Sequence, residues 1–278
     1  MEKFLYTETN LRRLQMVELE MLIEVDRICR RNNITYIIDA GTLLGAVRHG
    51  GFIPWDDDID IRMYRTDYDR FCKICRKELD EKFFLQTYKT DSEYLWGYAR
   101  ILRNGTKYLR KDHEAVKSRN GIFIDIFPND NLPEDRIGKS FCTAVSWICR
   151  KLLYSGVGKD YAPSFIRRAG FCFLNMFPKK TGHQGIEYLI KKYKNRNTRL
   201  VRCFGWGSEE ETKGFQKKWI LETTDIQFEG VTVMAPADTS GFLEHSFGKD
   251  FMTPPPENER MPRHTASEIQ FPEENHEK

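Results

Sequence analysis

The 278-residue sequence contains no apolar run long enough to cross a bilayer as a helix. Its first ten residues, MEKFLYTETN, lack the apolar core of a secretory signal, so a cytoplasmic location is expected. Net charge is also scarce. The 44 Lys and Arg against 41 Asp and Glu leave only +3, and no basic patch is interleaved with aromatics. That excludes the phosphate-neutralising, base-stacking surface of a nucleic-acid binder. The seven cysteines are odd in number and follow no regular framework, which points to a reducing compartment. Cys72-x-x-Cys75 has no second pair at compatible spacing, because Cys142 and Cys149 stand seven apart; these read as small buried apolar residues rather than zinc ligands. No internal repeat and no clear linker is visible. Aliphatic and aromatic residues, at 40%, are enough to build a sizeable core.

The most informative stretch runs from Asp39 to Ile61, DAGTLLGAVRHGGFIPWDDDIDI. ITYII at 34–38 predicts a short buried strand, Gly41-Thr42 a turn, and 42–47 one or two turns of helix, broken by Gly50-Gly51 and Pro54. Read as a strand, 56–61 places Asp56, Asp58 and Asp60 on one face and Ile59 and Ile61 on the other. Carboxylates so placed repel one another unless a cation sits among them, and an oxygen-seeking ion, Mg²⁺ or Mn²⁺, suits them. An EF-hand is excluded, because its sixth and twelfth positions would hold Ile61 and Asp67 instead of Gly and Glu. A solvated acidic turn has no use for the flanking Phe52-Ile53-Pro54-Trp55.

The run from Gly41 through Pro54-Trp55-Asp56-Asp57-Asp58-Ile59-Asp60 closely resembles the LicD family, which includes the fukutin-related proteins. The likeness extends over roughly residues 10–265, with a second stretch from Phe228 through Phe247-Gly248-Lys249-Asp250 and Pro254-Pro255 to Arg260 and His264. The resemblance implies a nucleotidyltransferase-like fold and transfer of a phospho-alcohol from a CDP-activated donor to a glycan. A zinc-binding cysteine cluster of the fukutin-related branch is not recognisable, so the bacterial-type branch is the nearer match.

Elsewhere, apolar residues at three- and four-residue steps predict a helix over 10–31 and a second from Thr66 or Asp67 through Leu79. Strands are expected at 83–85, 98–102, 107–109 and 122–126, with Asn104-Gly105 as a hairpin turn between the middle two. Asp125 is a lone carboxylate in the apolar strand GIFIDIFP and must be ion-paired or metal-bound. In the resemblance it is the family's third acidic residue, completing a triad with Asp58 and Asp60. Helices are expected at 137–154, 164–177 and 183–197. The first two are apolar with basic ends, which fits either core packing or a face lying against the inner membrane surface. Glu229-Gly230 reads as a turn into a strand at 231–234, and Asp238 as the start of a short helix through His245. The tail from 266 to 278 is polar and reads as disordered. The expectation is a mixed α+β fold: a mixed sheet flanked by helices, with a core over 1–130, a helical lobe over 131–215 and a completing segment over 216–265.

Phosphoryl transfer requires positioning and cations that neutralise the non-bridging oxygens. Asp58, Asp60 and Asp125 are the expected catalytic residues and, with Asp56, the metal ligands; Asp125 is either a ligand or the general base. Gly41 and Thr42 at a helix start offer amides to phosphate. Arg48, Arg100, Lys107, Arg260 and His264 are further phosphate candidates, and an ion pair with a nearby aspartate is the plain alternative for Arg48. If the donor is CDP-choline, its cation needs an aromatic surround, for which Trp55, Trp96, Tyr98 and Trp206 are available. The alternatives are a nucleotidyl transferase attacking the α-phosphorus of a nucleotide, and a non-catalytic nucleotide- or glycan-binding module.

Overall fold

The first long apolar stripe becomes helix α1, Glu8–Arg31, opened by the Thr7 hydroxyl accepting the Asn10 amide at 3.2 Å. A computed structural model describes residues 7–111, 113–114, 116–264 and 266–273. After α1 come strand β1, Ile37–Ile38, helix α2, Ala40–His49, and strand β2, Asp60–Tyr64. Helix α3, Arg65–Glu78, leads to β3, Phe83–Gln86, β4, Ala99–Arg103, β5, Lys107–Arg110, and the long β6, Phe123–Leu132. A helical stretch follows: α4 (Arg136–Leu153), α5 (Ser155–Tyr161), α6 (Phe165–Leu174) and α7 (Lys179–Tyr193). The chain then returns to the sheet through β7 (Leu200–Arg202), α8 (Glu209–Lys213), β8 (Phe215–Gln216) and α9 (Lys217–Leu221). The hairpin β9 (Thr223–Phe228) and β10 (Val231–Pro236), helix α10 (Thr239–Phe247) and strand β11 (Ala266–Gln270) complete it.

The main sheet has the order β1-β2-β6-β4-β3, with β7 and β8 added at the far end of β6. β2 and β6 run parallel and the other pairs antiparallel, which makes the sheet mixed, as expected. Alternation along β2 and β6 sends Ile61, Met63, Ile124 and Ile126, all fully buried, into the core against α1 and its neighbours. The other face carries Asp60, Arg62 and Asp125. Arg62 is buried there, held by Asp39, by Glu211 at 2.7 Å and by Asn129 at 3.3 Å. Its charge is fully paired, as burial requires.

Three expectations need correction. Residues 56–59 are not strand, because the turn at Pro54-Trp55 delays pairing and β2 begins only at Asp60. The Asn104-Gly105 turn exists, with Gly105 at φ +73°, but β4 and β5 do not form a hairpin. Both edges of β4 are already taken by β3 and β6, so β5 pairs instead with β11. That partner lies in the segment expected to be disordered: 266–270 is a strand whose Ala266 is buried. Residues 274–278 of that tail, like 1–6 of the expected core, lie outside the described residues.

Candidate functional site

The sheet register builds the site. Asp60 on β2 stands directly beside Asp125 on β6, and Asp125 directly beside Arg100 on β4. Side chains directly opposite on adjacent strands share a face, so one row reads Asp60, Asp125, Arg100 across three strands. Asp39 extends it, its amide donating to the Asp60 carbonyl at 2.9 Å. Arg100 Nε donates to Asp125 Oδ1 at 2.6 Å, with a longer contact from Nη2 to Oδ2 at 3.4 Å. Asp125 is thus ion-paired, the simpler of the two fates available to a carboxylate in that strand.

The segment leading into β2 brings the other carboxylates. Asp56 and Asp57 are buried and Asp58 half-buried. Among the described residues, Asp56, Asp57 and Asp58 form the one group of three acidic, His or Cys side chains whose ligand atoms all come within 4.8 Å of one another. The tightest convergence is therefore not the expected set of Asp58, Asp60 and Asp125. Asp57 is engaged elsewhere: its carboxylate accepts the backbone amides of Arg263 and His264, each at 3.0 Å. His264 Nδ1 stands 3.5 Å from Asp58 Oδ2, so the chain before β11 straps across the acidic segment.

Helix α2 presents its N-terminal turn to the same place. Asp56 packs so closely on Gly41 that a Cβ there would lie 2.3 Å from Asp56 Oδ2. The Thr42 hydroxyl accepts the Asp60 amide at 3.0 Å, so this buried side chain positions an aspartate directly. Ala40, at φ +46°, holds a left-handed backbone that costs a non-glycine residue about 1 kcal/mol.

Burial pushes the carboxyls of Asp56, Asp58 and Asp60 above the usual aspartate range. Neighbouring carboxylates push all three further; His264 and Arg263 oppose the rise at Asp58, and Arg263 at Asp56. Glu18, which is not among the residues expected from the sequence, belongs with them. It lies on α1, 2% exposed, its carboxyl raised by burial and then by Asp58, Asp57, Asp56 and Asp60. Its Oε2 has no hydrogen-bond partner among the described residues. Gln15, one turn earlier, donates to the Asp56 carbonyl at 2.9 Å. The signal was legible: Leu11, Gln15, Glu18, Leu22 and Val25 follow three- and four-residue steps, which sets two polar residues inside the buried stripe of α1.

Such crowding of oxygen donors is the environment of a hard divalent cation. Residues 33–147 match the family model described as "LicD/FKTN/FKRP, nucleotidyltransferase domain". These residues form a LicD-family domain. The lipopolysaccharide cholinephosphotransferase LicD of Haemophilus influenzae is 28% identical over 269 residues, 91% of this chain and 96% of that one. The human ribitol 5-phosphate transferase FKRP is 29% identical over 93 residues, 32% of this chain and 18% of that one. An uncharacterised Rickettsia prowazekii protein, RP689, is 27% identical over 157 residues, 49% of this chain and 57% of that one.

The LicD domain contains Asp39, Gly41, Thr42, the four aspartates of β2 and its lead-in, Arg100 and Asp125, whereas Glu18, Arg263 and His264 reach the site from outside it. Several expected phosphate residues have partners other than the acids. Arg48, at the C-terminal end of α2, makes no ion pair among the described residues and donates to the Phe251 carbonyl. Lys107 pairs with Glu268 at 2.6 Å across β5 and β11. Arg260 donates to the Pro255 carbonyl at 2.9 Å and lies over the Trp55 ring. Of the aromatics, Trp96 and Tyr98 gather with Tyr94 and Phe123 around Arg100, whose guanidinium carbon is 3.8 Å from the Phe123 ring centre and 4.5 Å from that of Trp96. The cation these rings surround here is Arg100 itself. Trp206 packs on Tyr98 and Phe127 at the edge of that cluster.

Proposed function

We propose that this chain is a metal-dependent transferase that moves a phospho-alcohol, with phosphocholine the first choice, from a CDP-activated donor to a hydroxyl of a cell-surface glycan or its lipid-linked precursor. The observation that carries the reading is the row Asp60, Asp125, Arg100 across three strands, with Asp58 entering from the lead-in. The near full-length similarity to a cholinephosphotransferase supports the choice of alcohol.

The residues fit a divalent ion. The donors are all oxygen, their mutual repulsion and burial favour a cation, and the Glu18 carboxyl behind them has an unpartnered oxygen. Asp58, Asp60 and Asp125 would hold Mg²⁺ or Mn²⁺, with Asp56 as an outer ligand, and the ion would neutralise charge on the donor pyrophosphate. Thr42 and Gly41 fix the positions of Asp60 and Asp56. Arg100 orients Asp125, which serves as a ligand or as the base that takes the proton of the attacking hydroxyl. In the reaction the hydroxyl oxygen bonds to the distal phosphorus, the phosphorus–oxygen bond to CMP breaks, and CMP leaves.

The test is phosphorus NMR of the products formed from a panel of CDP-alcohols and CTP with Mg²⁺. The reading predicts EDTA-sensitive CMP release from one CDP-alcohol, lost in Asp58→Asn. Pyrophosphate release from CTP would instead establish a nucleotidyl transferase. Absence of both products, with no nucleotide or metal binding, would overturn the transferase reading.

A further inference from the structure

Charge in this chain is unevenly distributed. Between Arg136 and Lys180 it holds nine Lys and Arg and one Asp, a net +8 in a chain whose total is +3. The same stretch exposes large apolar side chains, and α6 buries none of its residues. One side of α6, through Arg167, Gly170, Phe171 and Leu174, lines an open cleft of about 720 Å³ shared with Trp147 of α4 and Tyr161 of α5. The other side carries Ile166, Ala169 and Phe173 at helical steps and continues to Phe177, whose ring lies 5.5 Å from that of Phe173. Phe165 is 85% exposed, Ile166 82%, Met176 79% and Phe173 61%. Apolar surface bared in succession marks an interaction face.

The charge identifies the occupant. Of the nine cations in this stretch, Lys179 is drawn inward by the Leu152 carbonyl and the Ser155 hydroxyl and Arg150 is half-buried, which leaves seven against Asp160 alone to meet a partner, and that imbalance calls for an anionic one. Exposed aromatics and aliphatics with Lys and Arg among them match the headgroup and acyl layers of an anionic bilayer. Trp147 on α4, 54% exposed with Lys151 Nζ 5.9 Å from its ring centre, extends the same pattern. We propose that the exposed side of α6 docks on anionic phospholipid, inserting Phe165, Ile166 and Phe173 into the headgroup boundary.

This face is connected to the carboxylates. Phe171 packs on Tyr154 at 6.2 Å, Tyr154 on His113 at 5.8 Å, and His113 stacks on Trp96 at 6.0 Å. Trp96 lies against Arg100, the partner of Asp125. Docking would therefore fix how the acidic site is oriented to the membrane surface, where, on the proposed function, an acceptor anchored by a lipid is presented.

The test reads binding alone and is independent of the proposed chemistry. Full-length protein is sedimented with phosphatidylcholine vesicles with and without phosphatidylglycerol. Binding to the anionic vesicles only is expected, and it should weaken as salt rises. Phe165→Ser with Ile166→Ser should lower the partition coefficient at least about ten-fold, and Arg167→Gln with Lys180→Gln about five-fold per charge. These side chains are exposed, so unchanged thermal unfolding separates docking from folding. Absence of binding to anionic vesicles overturns the proposal, as does binding that the Phe165 and Ile166 substitutions leave unchanged. Self-association without vesicle binding, abolished by those substitutions, would assign the face to a second copy of the chain.

Discussion

Replacing Gly41 by Ala separates the site's geometry from the stability of the fold. Gly41 is the second residue of α2, and a Cβ built there lies 2.3 Å from Asp56 Oδ2 and 3.2 Å from its Cγ. Ordinary contact begins near 3.4 Å, so the carboxylate must retreat by about 1 Å, the difference between the two separations. Asp56 is short, buried, and crowded by Asp57 and Asp58, so it cannot swing away alone. A displacement of this size costs about 10²-fold in rate where alignment matters, and a disturbed outer ligand typically lowers metal affinity 10–100-fold. Helix propensity acts oppositely, Ala being favoured over Gly by up to about 1 kcal/mol. The expected signature of Gly41→Ala is a protein of near-normal or slightly altered melting temperature with CMP release about a hundred-fold slower. Gly170→Ala is the control: it lies in α6 with nothing within 4 Å of its Cβ, so stability should rise and turnover stay unchanged. Wild-type turnover and metal affinity in Gly41→Ala would refute the close packing of Asp56 on α2 as a requirement of the site.

Other predictions follow from single contacts. Thr42→Val should leave the Asp60 amide without its acceptor, destabilise by about 1–3 kcal/mol in chemical denaturation and depress turnover, while Thr42→Ser restores both. Arg100→Ala should cost about 3–5 kcal/mol, because it leaves the Asp125 carboxylate buried and unpaired; a loss below 1 kcal/mol would show that the pair is not formed in solution. In the metal-free protein, Glu18, Asp56, Asp58 and Asp60 hold protons that the unfolded chain has already released above about pH 4. Their contribution to stability therefore falls as pH rises from that range, and Mg²⁺ should reverse the fall. Thermal melts against pH with Mg²⁺ or EDTA check the sign, and stability rising with pH without metal would contradict it.

Much of this arrangement was readable in advance where periodicity or turn chemistry is strong. The 10–31 stripe became α1, Asp238 became the cap of α10, and Glu229-Gly230 became the turn between β9 and β10. The neighbours of Asp125 were not readable. Its register against Asp60 depends on β2 and β6 running parallel across a long crossover, and that against Arg100 on β4 and β6 pairing antiparallel past β5, neither of which a local pattern encodes. Arg100 was therefore read as a phosphate ligand when its nearest anion is Asp125. Helix length sets the place of Arg48: α2 runs to His49, which puts Arg48 at its C-terminal end, where it donates to the Phe251 carbonyl. Glu18 escapes a reading that follows only the apolar residues of the 10–31 stripe, although its step relative to Leu11, Leu22 and Val25 places it inside.

The central claim is that Asp58, Asp60 and Asp125 act together on one cation. Manganese titration followed by electron paramagnetic resonance, which counts the free aqueous ion, tests it without any donor or acceptor. The account predicts saturable binding by the wild-type chain that Asp60→Asn and Asp125→Asn each abolish or weaken by at least about ten-fold. Undiminished binding in both variants would place the ion elsewhere and contradict the account.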